Sequence, residues 1–465
     1  MLIRRAEIDG AAPLDVRVRD RAIAEIGSGL ASPPGEPVLD AAGGALIPGL
    51  HDHHIHLFAL AATGASVRCG PPQVRDADAL AQALAGAPEH GGWIRGVGYH
   101  ESVAGDLDRA RLDRLVPDRP LRIQHRSGAL WVVNSIAAER LGLDRGADER
   151  GIERDADGRA TGRLYRLDAW LRERVGEIQP PSLARASRRL AACGVTGLTD
   201  ATPENSDTEL RAFLRASDRG ELLQRLVVMG APGLAAPPHR WIRRGPVKVR
   251  LDERDLPRFD ALRQRIEDAH REGRAVAVHC VTRAELVLAT AAFAEAGALR
   301  GDRIEHAAVA PPDAVEIVAG LPLTVVTQPG FVRERGDAYL TDVEPRDRPW
   351  LYRCRGWLRA SVPLGGSTDA PFGDADPWRA IRAAVDRRTE NGAALGADET
   401  LTPERALALF TSPPEAPGGP PRAIAVGAAA DLCVLDRPWS KARAELSSAC
   451  VAATVRGGAL IWQRD

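Results

Sequence analysis

Short apolar runs alternate with helical patterns from about residue 176 to residue 412 of this 465-residue chain. Such runs are typical of buried parallel strands, and the stretches between them, such as 256–272 and 283–295, have the periodicity of helices. With a first strand at 45–50, the pattern predicts an α/β fold with eight strand–helix units, as a (β/α)8 TIM barrel requires. The other predicted barrel strands are 194–200, 225–229, 247–251, 275–279, 303–306, 323–327 and 362–367.

The remaining segments predict two additions to the barrel. Short strands separated by turns fill both ends of the chain, which predicts a small β-sandwich domain formed by the two termini. The segment after the first barrel strand is too long for a simple crossover and has strand and helix patterns of its own. We therefore expect it to form an inserted α+β domain that covers the barrel mouth as a substrate roof. The predicted division is 1–48 for the first part of the sandwich, 49–64 for barrel strand 1 and its metal motif, 65–175 for the insertion, 176–412 for the rest of the barrel, and 413–465 for the second part of the sandwich.

The composition excludes several classes of protein. With 62 basic and 63 acidic side chains and 44% hydrophobic residues, the chain is typical of a globular protein and lacks the positive excess that attracts nucleic acid. No signal-peptide core and no membrane-spanning run is found, so we expect a cytoplasmic protein without membrane contact. The six cysteines stand singly, which argues against disulfides and thiolate metal sites. The expected partner is a small-molecule substrate, and the sequence leaves a homodimer open.

Histidines and an aspartate follow the carboxyl ends of several predicted strands. His54 and His56 are two residues apart, so their imidazoles can face one point. His279, His306 and Asp369 end three later strands. A lone His-x-His pair is more often structural, but the carboxyl ends of barrel strands meet at one face, where these side chains converge. Four histidines and a carboxylate predict a site for zinc or another borderline divalent ion.

Lys248 on the fourth predicted strand completes this set. It is one of two lysines in the chain, whose other 60 basic residues are arginines. A lysine amine can lose its proton and be carboxylated by CO2 to an anionic metal ligand, which arginine cannot do. The alternative interpretation is a buried lysine that forms a salt bridge.

The segments that carry these residues resemble the amidohydrolase superfamily, specifically the amidohydrolase family 3 branch of YtcJ-like hydrolases. The likeness covers nearly the whole chain. The ordered set of ligand positions is specific, whereas any one motif alone is not. The segments are 48–57, 93–98, 130–135, 160–162, 247–248, 278–279, 303–306, 366–371 and 427–432.

The resemblance implies a metal centre and assigns its ligands. His54 and His56 would bind the more buried metal together with Asp369. Lys248, if carboxylated, would bridge to a second metal held by His279 and His306. Members of the superfamily occur with one or with two divalent ions, so the number of Zn2+ ions stays open.

The constellation also predicts a reaction. Zinc lowers the pKa of bound water to about 7, so a metal-bound hydroxide can attack the substrate with Asp369 as general base. The expected reaction is hydrolysis of a non-peptide carbon–nitrogen bond in a small amide, formamide, cyclic amide or N-acyl compound. A deaminase of a nitrogen heterocycle is the alternative on this fold, although the expected glutamate does not directly follow His279. A non-catalytic metal-binding barrel would have lost ligands, yet all six positions are filled.

Candidate substrate contacts are weaker. Arg166 stands where relatives usually carry an acidic residue, and an arginine there would favour a carboxylate-bearing compound. For every candidate, an ordinary core or surface polar residue is the competing interpretation. The candidates are Tyr99, His125, Arg163, Arg166 and Gln328.

Overall fold

The computed structural model describes residues 1–64, 66–71, 73–89, 91–145, 149–176 and 180–465. These residues fall into two units, one formed by Met1–Leu57 with Leu183–Asp465 and the other by Phe58–Ser182. Ala65, the first residue of the predicted insertion, lies outside the described residues.

The strands, numbered along the chain, are β1 (Leu2–Ala6), β2 (Leu14–Arg19), β3 (Ala22–Gly27), β4 (Val38–Asp40), β5 (Leu46–Pro48), β6 (Leu50–Ile55), β7 (Val67–Arg68), β8 (Ile94–Tyr99), β9 (Leu121–His125), β10 (Leu130–Val133), β11 (Ile152–Arg154), β12 (Ala160–Tyr165), β13 (Val195–Asp200), β14 (Arg225–Gly230), β15 (Ile242–Arg250), β16 (Val276–Cys280), β17 (Arg303–His306), β18 (Thr324–Thr327), β19 (Leu364–Gly366), β20 (Leu432–Leu435), β21 (Val451–Arg456) and β22 (Ala459–Gln463).

The α-helices are α1 (Leu57–Thr63), α2 (Ala77–Ala85), α3 (Glu101–Ala104), α4 (Arg109–Leu115), α5 (Ser135–Leu141), α6 (Asp168–Val175), α7 (Ala184–Ala192), α8 (Asp207–Asp218), α9 (Phe259–Arg271), α10 (Arg283–Ala296), α11 (Pro312–Ala319), α12 (Gly330–Asp342), α13 (Arg355–Arg359), α14 (Pro377–Asp386), α15 (Pro403–Ala408) and α16 (Trp439–Glu445). Short 3-10 turns lie at Glu253–Asp255, Arg348–Trp350, Ala397–Glu399 and Ser448–Cys450.

The first unit contains an eight-stranded parallel sheet in the order β19-β18-β17-β16-β15-β14-β13-β6. Beyond β19 the chain returns to the first barrel strand. The backbone N–H of Asp369 donates to the carbonyl of His54 at 2.9 Å, and the N–H of His56 donates to that of Ala370 at 2.8 Å. These bonds join the last strand's extension to the first strand, so the predicted (β/α)8 barrel is confirmed.

The prediction of 45–50 as the first barrel strand was wrong. Residues Leu46–Pro48 form β5, which pairs with β20 in a small antiparallel sheet, and the barrel strand is the following segment, Leu50–Ile55. Only Gly49 separates the two strands. The barrel strand has the sequence LHDHHI, and all six residues are buried. Four of its six residues are polar, so this strand lacks the apolar run by which the other barrel strands can be predicted.

Two four-stranded sheets of the first unit, β3-β2-β1-β4 and β22-β21-β20-β5, are built from both ends of the chain. They share one hydrophobic core, which joins side chains such as Ile3 and Val16 of the N-terminal strands to Leu432 and Val455 of the C-terminal strands. This is the expected β-sandwich.

The second unit has a six-stranded mixed sheet in the order β11-β12-β10-β9-β8-β7. Strands β7, β8 and β9 run parallel, and the strands from β9 through β10 and β12 to β11 are antiparallel. Helices α2 and α4 contribute Leu80, Leu84 and Leu112 to one buried cluster, and α5 contributes Leu141 to another. The unit is therefore an α+β structure with its own core.

Local signals in the sequence fix many helix ends. Thr282 and Glu285 form a reciprocal capping box at the start of α10, as Ser206 and Glu209 do at the start of α8. Helices α11, α14 and α15 have proline in their first turn, where the missing N–H has no cost. Among the helices of the described residues, none has the length and apolar character that crossing a bilayer requires.

Candidate functional site

His54, His56 and Asp369 come together where the first and last barrel strands meet. Asp369 Oδ1 lies 3.5 Å from His54 Nε2 and 3.3 Å from His56 Nε2. One donor atom from each residue lies within 4.8 Å of the other two, an arrangement that could hold a metal ion. Burial alone would raise the pKa of Asp369, but its interactions with the neighbouring imidazoles of His56, His54 and His306 hold it below its ordinary value. The carboxylate is therefore ionised at neutral pH.

His54 is oriented by Glu305, a contact that the sequence analysis did not assign. His54 Nδ1 donates to Glu305 Oε2 at 2.5 Å, which leaves Nε2 with its lone pair toward Asp369. Glu305 is fully buried and forms an ion pair with Arg303, whose Nε lies 2.7 Å from Oε1. Burial lowers the pKa of His54 to about 3, so the imidazole is neutral, as a metal ligand must be.

The His306 side chain lies beside His54 because the backbone of His306 departs from the regular strand conformation. Consecutive residues of a regular strand face opposite sides, yet Glu305 and His306 both lie against His54, whose ring centroid is 4.8 Å from that of His306. His306 has a φ of 69° and Asp369 one of 55°, in the left-handed region that is costly for these residues. Backbone strain thus occurs at two of the predicted ligands.

A second series of hydrogen bonds fixes the orientation of the His306 ring. Its Nδ1 donates to Gln328 Oε1 at 2.7 Å, and Gln328 Nε2 donates to Ser367 Oγ at 2.8 Å. His279 lies beside it, with ring centroids 4.4 Å apart. His56 Nδ1 lies 2.9 Å from Thr202 Oγ1. His54, His56 and His306 therefore each have Nδ1 engaged and Nε2 available. Gln328, proposed as a substrate contact, bonds to His306 instead of standing free.

Lys248 is buried on β15 among these groups, with 2% of its surface exposed. Its Nζ has no hydrogen-bond partner among the described residues. Burial lowers the pKa of Lys248 to about 8, although the charges of Glu305 and Asp369 oppose this shift. The structure thus brings the six predicted ligand positions to one region of the barrel mouth: His54, His56, Lys248, His279, His306 and Asp369.

Asp52 joins the first strand to the loop after the last one. Its carboxylate accepts the backbone N–H of Thr368 at 3.1 Å and the Thr368 hydroxyl at 2.5 Å, and also the N–H of His54 at 3.2 Å. Burial raises the pKa of Asp52 to about 7 despite these bonds. Asp52 therefore fixes the positions of His54 and Asp369. It is not part of the triad of His54, His56 and Asp369 that could hold a metal ion.

The other two histidines of the motif form a separate buried pair. His51 Nε2 lies 2.9 Å from Thr199 Oγ1, and His53 Nε2 lies 2.9 Å from Ser412 Oγ. The two rings are 4.6 Å apart. A Cβ on Gly197 would lie 2.3 Å from His51 Nδ1, so only glycine fits against this ring. Burial lowers the pKa of both histidines well below the ordinary value, so they pack as neutral core residues.

Glu334 on α12 holds the loop that follows Asp369. Its carboxylate accepts the backbone N–H of Asp374 at 3.1 and 3.2 Å. Burial raises the pKa of Glu334 to about 7. A carboxyl group with a raised pKa in the folded state keeps its proton there after the unfolded chain has lost it, and this difference makes stability depend on pH.

We expect Glu334→Gln to flatten the pH dependence of stability. The unfolded carboxyl titrates near 4.5 and the folded one near 7, so the free energy of unfolding falls as pH rises between these values. Through this group, the free energy of unfolding at pH 8 is lower than at pH 4.5 by at most about 3 kcal/mol. Denaturation of both proteins at pH 4.5 and pH 8 measures this difference. Glu295→Gln, at an exposed position of α10, is the control. A wild-type minus Glu334→Gln difference that stays constant with pH would contradict the assignment.

The glutamate closest in sequence to the fifth-strand histidine is engaged elsewhere. Glu285 accepts the backbone N–H groups of Val281 at 2.6 Å and Thr282 at 3.1 Å with one oxygen, and that of Glu253 at 2.9 Å with the other. It therefore caps α10. It does not supply the proton donor that the deaminase alternative needs near His279.

The remaining predicted substrate contacts lie in the second unit, and each has partners there. Tyr99 is buried and its hydroxyl donates to the carbonyl of Gly105, while burial raises its pKa to about 12. His125 contacts Glu101 and Ser127 at 2.9 and 2.8 Å. Arg163 bonds to the Tyr165 hydroxyl at 2.9 Å and to the Leu107 carbonyl at 3.2 Å. The N–H of Arg166 donates to the carbonyl of Ala129 at 2.8 Å.

A parallel barrel with histidines and an aspartate at the carboxyl ends of its strands is the architecture of a metal-dependent hydrolase. Comparison with protein families agrees with this class. The family model described as the amidohydrolase family matches residues 37–461. The chain belongs to the amidohydrolase family, and it is a hydrolase of carbon–nitrogen bonds.

Similar proteins extend over most of the chain. An N-substituted formamide deformylase from Arthrobacter pascens is 27% identical, over 94% of this chain and 91% of that protein. The putative amidohydrolase YtcJ from Bacillus subtilis (strain 168) is 25% identical, over 79% of each chain. The crystal structure of an uncharacterized metal-dependent hydrolase from Pyrococcus horikoshii OT3 matches with a TM-score of 0.73 at 21% identity, over 94% of this chain and 96% of that one.

Proposed function

We propose that this protein is a metal-dependent hydrolase of a small formamide or N-acyl amine. The observation that carries the proposal is the convergence of His54, His56 and Asp369, with donor atoms within 4.8 Å of one another. The 27% identical relative, a deformylase of N-substituted formamides, supports an acyl group as small as formyl. Glu285, the glutamate closest to His279 in the sequence, caps a helix and so does not support the deaminase alternative.

The residues present fit a divalent cation. Two histidines present Nε2 toward a buried carboxylate oxygen, Asp369 Oδ1, that has no hydrogen-bond partner among the described residues. Nitrogen and oxygen donors in this combination suit Zn2+. We propose that His54, His56 and Asp369 hold one ion. Lys248, with its buried and unpartnered Nζ, would become a ligand after carboxylation and share a second ion with His279 and His306.

A divalent cation supplies Lewis-acid chemistry, which makes water a nucleophile at neutral pH and polarises the substrate carbonyl. The chain's own groups move the proton. Asp369 accepts a proton from the attacking water and delivers it to the departing nitrogen. The carbon–nitrogen bond breaks, the water oxygen stays on the acyl carbon, and the products are a carboxylic acid and an amine. Glu305, Thr202 and Gln328 keep the imidazoles in the tautomer that presents Nε2.

The proposal predicts that turnover and metal content are lost together. The zinc-loaded protein is expected to hydrolyse N-benzylformamide, with release of formate as the readout. His56→Ala should lower the bound metal and reduce kcat/KM by at least about 100-fold, since it removes one donor of the triad. Elemental analysis of the purified variant and its thermal unfolding are measured beside the activity.

His239→Ala is the matched control, because that histidine lies in the same unit and contacts Asp218 instead of the site. It should keep both metal and turnover. A His56→Ala variant that is folded and retains the full metal content would contradict the ligand assignment. A metal-loaded wild-type protein that hydrolyses no formamide or N-acyl amine, but releases ammonia from nitrogen heterocycles, would establish the deaminase alternative.

A cytoplasmic location, a homodimer and the absence of a nucleic acid partner stay predictions of the sequence. The same is true of the identity of the metal as zinc and of the carboxylation of Lys248. Intact-mass measurement of the protein under CO2, compared with Lys248→Arg, tests the carboxylation directly.

A further inference from the structure

A tract of aromatic side chains leads away from the metal-binding triad within the barrel unit. The ring of Phe372 lies 5.3 Å from that of His56. Phe331 on α12 packs edge-on against Tyr352 at 5.4 Å, and Tyr352 stacks on Tyr339 at 6.0 Å. These rings belong to one cluster that also contains Leu351 and Leu395. The site therefore continues into an aromatic region, which the proposed mechanism leaves without a role.

Arg335 on α12 places a positive charge in this tract. Its guanidinium carbon lies 4.0 Å from the centre of the Phe331 ring, and Nη2 donates to the carbonyl of Phe372 at 2.5 Å. Arg335 is partly buried, and among the described residues no carboxylate forms an ion pair with it, although Asp369 and Glu334 attract it over a longer distance. Its remaining N–H groups have no acceptor in the described part of the chain. Burial alone would lower the pKa of Arg335, but the neighbouring tyrosines and carboxylates raise it, so the guanidinium stays charged and has N–H groups left to donate to a ligand.

Two hydroxyl groups lie close to this cation. The phenol oxygens of Tyr339 and Tyr352 are 3.4 Å apart, and both rings are near enough to Arg335 to interact electrostatically with it. Burial raises the pKa of Tyr352 well above its ordinary value, so the hydroxyl keeps its proton and remains a donor. The carboxylates of Asp369 and Glu334 also interact electrostatically with Arg335, but Asp369 belongs to the candidate cation site and Glu334 accepts the backbone N–H of Asp374.

We propose that Arg335, with the hydroxyls of Tyr339 and Tyr352, binds a carboxylate of the substrate. The inference rests on the proposed function and narrows its substrate class to N-formyl or N-acyl amines that carry a carboxylate, such as acylated amino acids. A guanidinium fork matches the two oxygens of a carboxylate. An aromatic substituent alone is a weaker fit, because the guanidinium already covers the face of Phe331.

A matched pair of substrates tests the proposal. N-formylphenylalanine and N-formylphenethylamine differ only in the carboxylate. For the wild-type protein loaded with zinc, kcat/KM should be at least about 10-fold higher for the acid. Arg335→Gln should lower kcat/KM for the acid by on the order of 100-fold and change that for the neutral amide by less than about 3-fold. Arg335→Lys keeps the charge without the fork and should be intermediate.

Arg382→Gln is the control variant, since that arginine is exposed on α14 and pairs with Asp386. It should behave as wild type with both substrates. Equal losses for both substrates in Arg335→Gln would overturn the inference, because they would show that Arg335 only positions Phe372 and its loop. A wild-type protein with the same kcat/KM for the neutral amide and for the acid would overturn the inference too.

A binding measurement keeps the inference separate from the reaction. Calorimetric titration with 3-phenylpropionate and with 3-phenylpropanol should show binding of the acid alone, and Arg335→Gln should abolish it. This result would support the carboxylate site even if neither formyl compound were hydrolysed, in which case the proposed function alone would fail. Equal affinity of the wild type and Arg335→Gln for 3-phenylpropionate would contradict the inference but would not affect the hydrolase assignment.

Discussion

Asp369→Asn is expected to lower kcat by about 100- to 10,000-fold, the contribution of a positioned general base. Asparagine has nearly the same shape as aspartate but cannot accept the proton of the attacking water. Because Asp369 Oδ1 lies within 3.5 Å of both His54 Nε2 and His56 Nε2, the substitution also removes the only negative donor of the triad. Steady-state kinetics and the metal content of the same sample measure both losses.

The fold should survive this change. The backbone N–H of Asp369, which closes the barrel against His54, is unaffected by the side-chain substitution. Asp386→Asn, at a half-exposed position paired with Arg382, is the control and should keep full activity. Near-normal turnover of a folded Asp369→Asn variant would show that another group takes the proton. Loss of the thermal transition would show that Asp369 is needed for folding instead.

Glu305→Gln is expected to lower the free energy of unfolding by about 3–5 kcal/mol, because it leaves the buried Arg303 without its charge partner. Both side chains are almost completely buried, at 4% and 0% exposure. The variant should also bind metal about 10- to 100-fold more weakly, since the carboxylate that orients His54 is lost. Chemical denaturation and a zinc titration measure the two effects.

A double variant separates the two roles of Glu305. In Arg303→Leu with Glu305→Leu both buried charges are removed, so stability should recover relative to Glu305→Gln. Metal affinity should stay low, because His54 Nδ1 still lacks its acceptor. A Glu305→Gln protein as stable as wild type would contradict the ion-pair argument. Full metal affinity in the double variant would contradict the role of Glu305 in orienting His54.

Much of the barrel could be predicted because its strands follow simple physical rules. Buried parallel strands are continuous apolar runs, and seven of the predicted segments overlap the observed ones from β13 to β19. The first strand is different. Its buried histidines and Asp52 bond to side chains more than a hundred residues away, such as Thr199, Thr368 and Ser412. No local pattern contains that information.

The candidate site also contains some residues that the sequence can predict and others that it cannot. The proximity of the six predicted ligand positions could be predicted because the strand ends of a barrel share one face. Glu305 left a signal, since Arg303 and Glu305 are alternate charged residues of a short strand and predict a buried ion pair. Arg335 left none, because it is one of 60 arginines and only the folded chain places it beside Phe331 and Phe372.

The sandwich built from both termini has a consequence for how the protein is made. Strand β5 pairs with β20, near residue 433, and the first barrel strand begins directly after β5. A nascent chain on the ribosome therefore carries His54 and His56 through the synthesis of several hundred further residues before β20, the partner of β5, has emerged. The strand pair beside the first barrel strand is thus completed only after all eight barrel strands have been made.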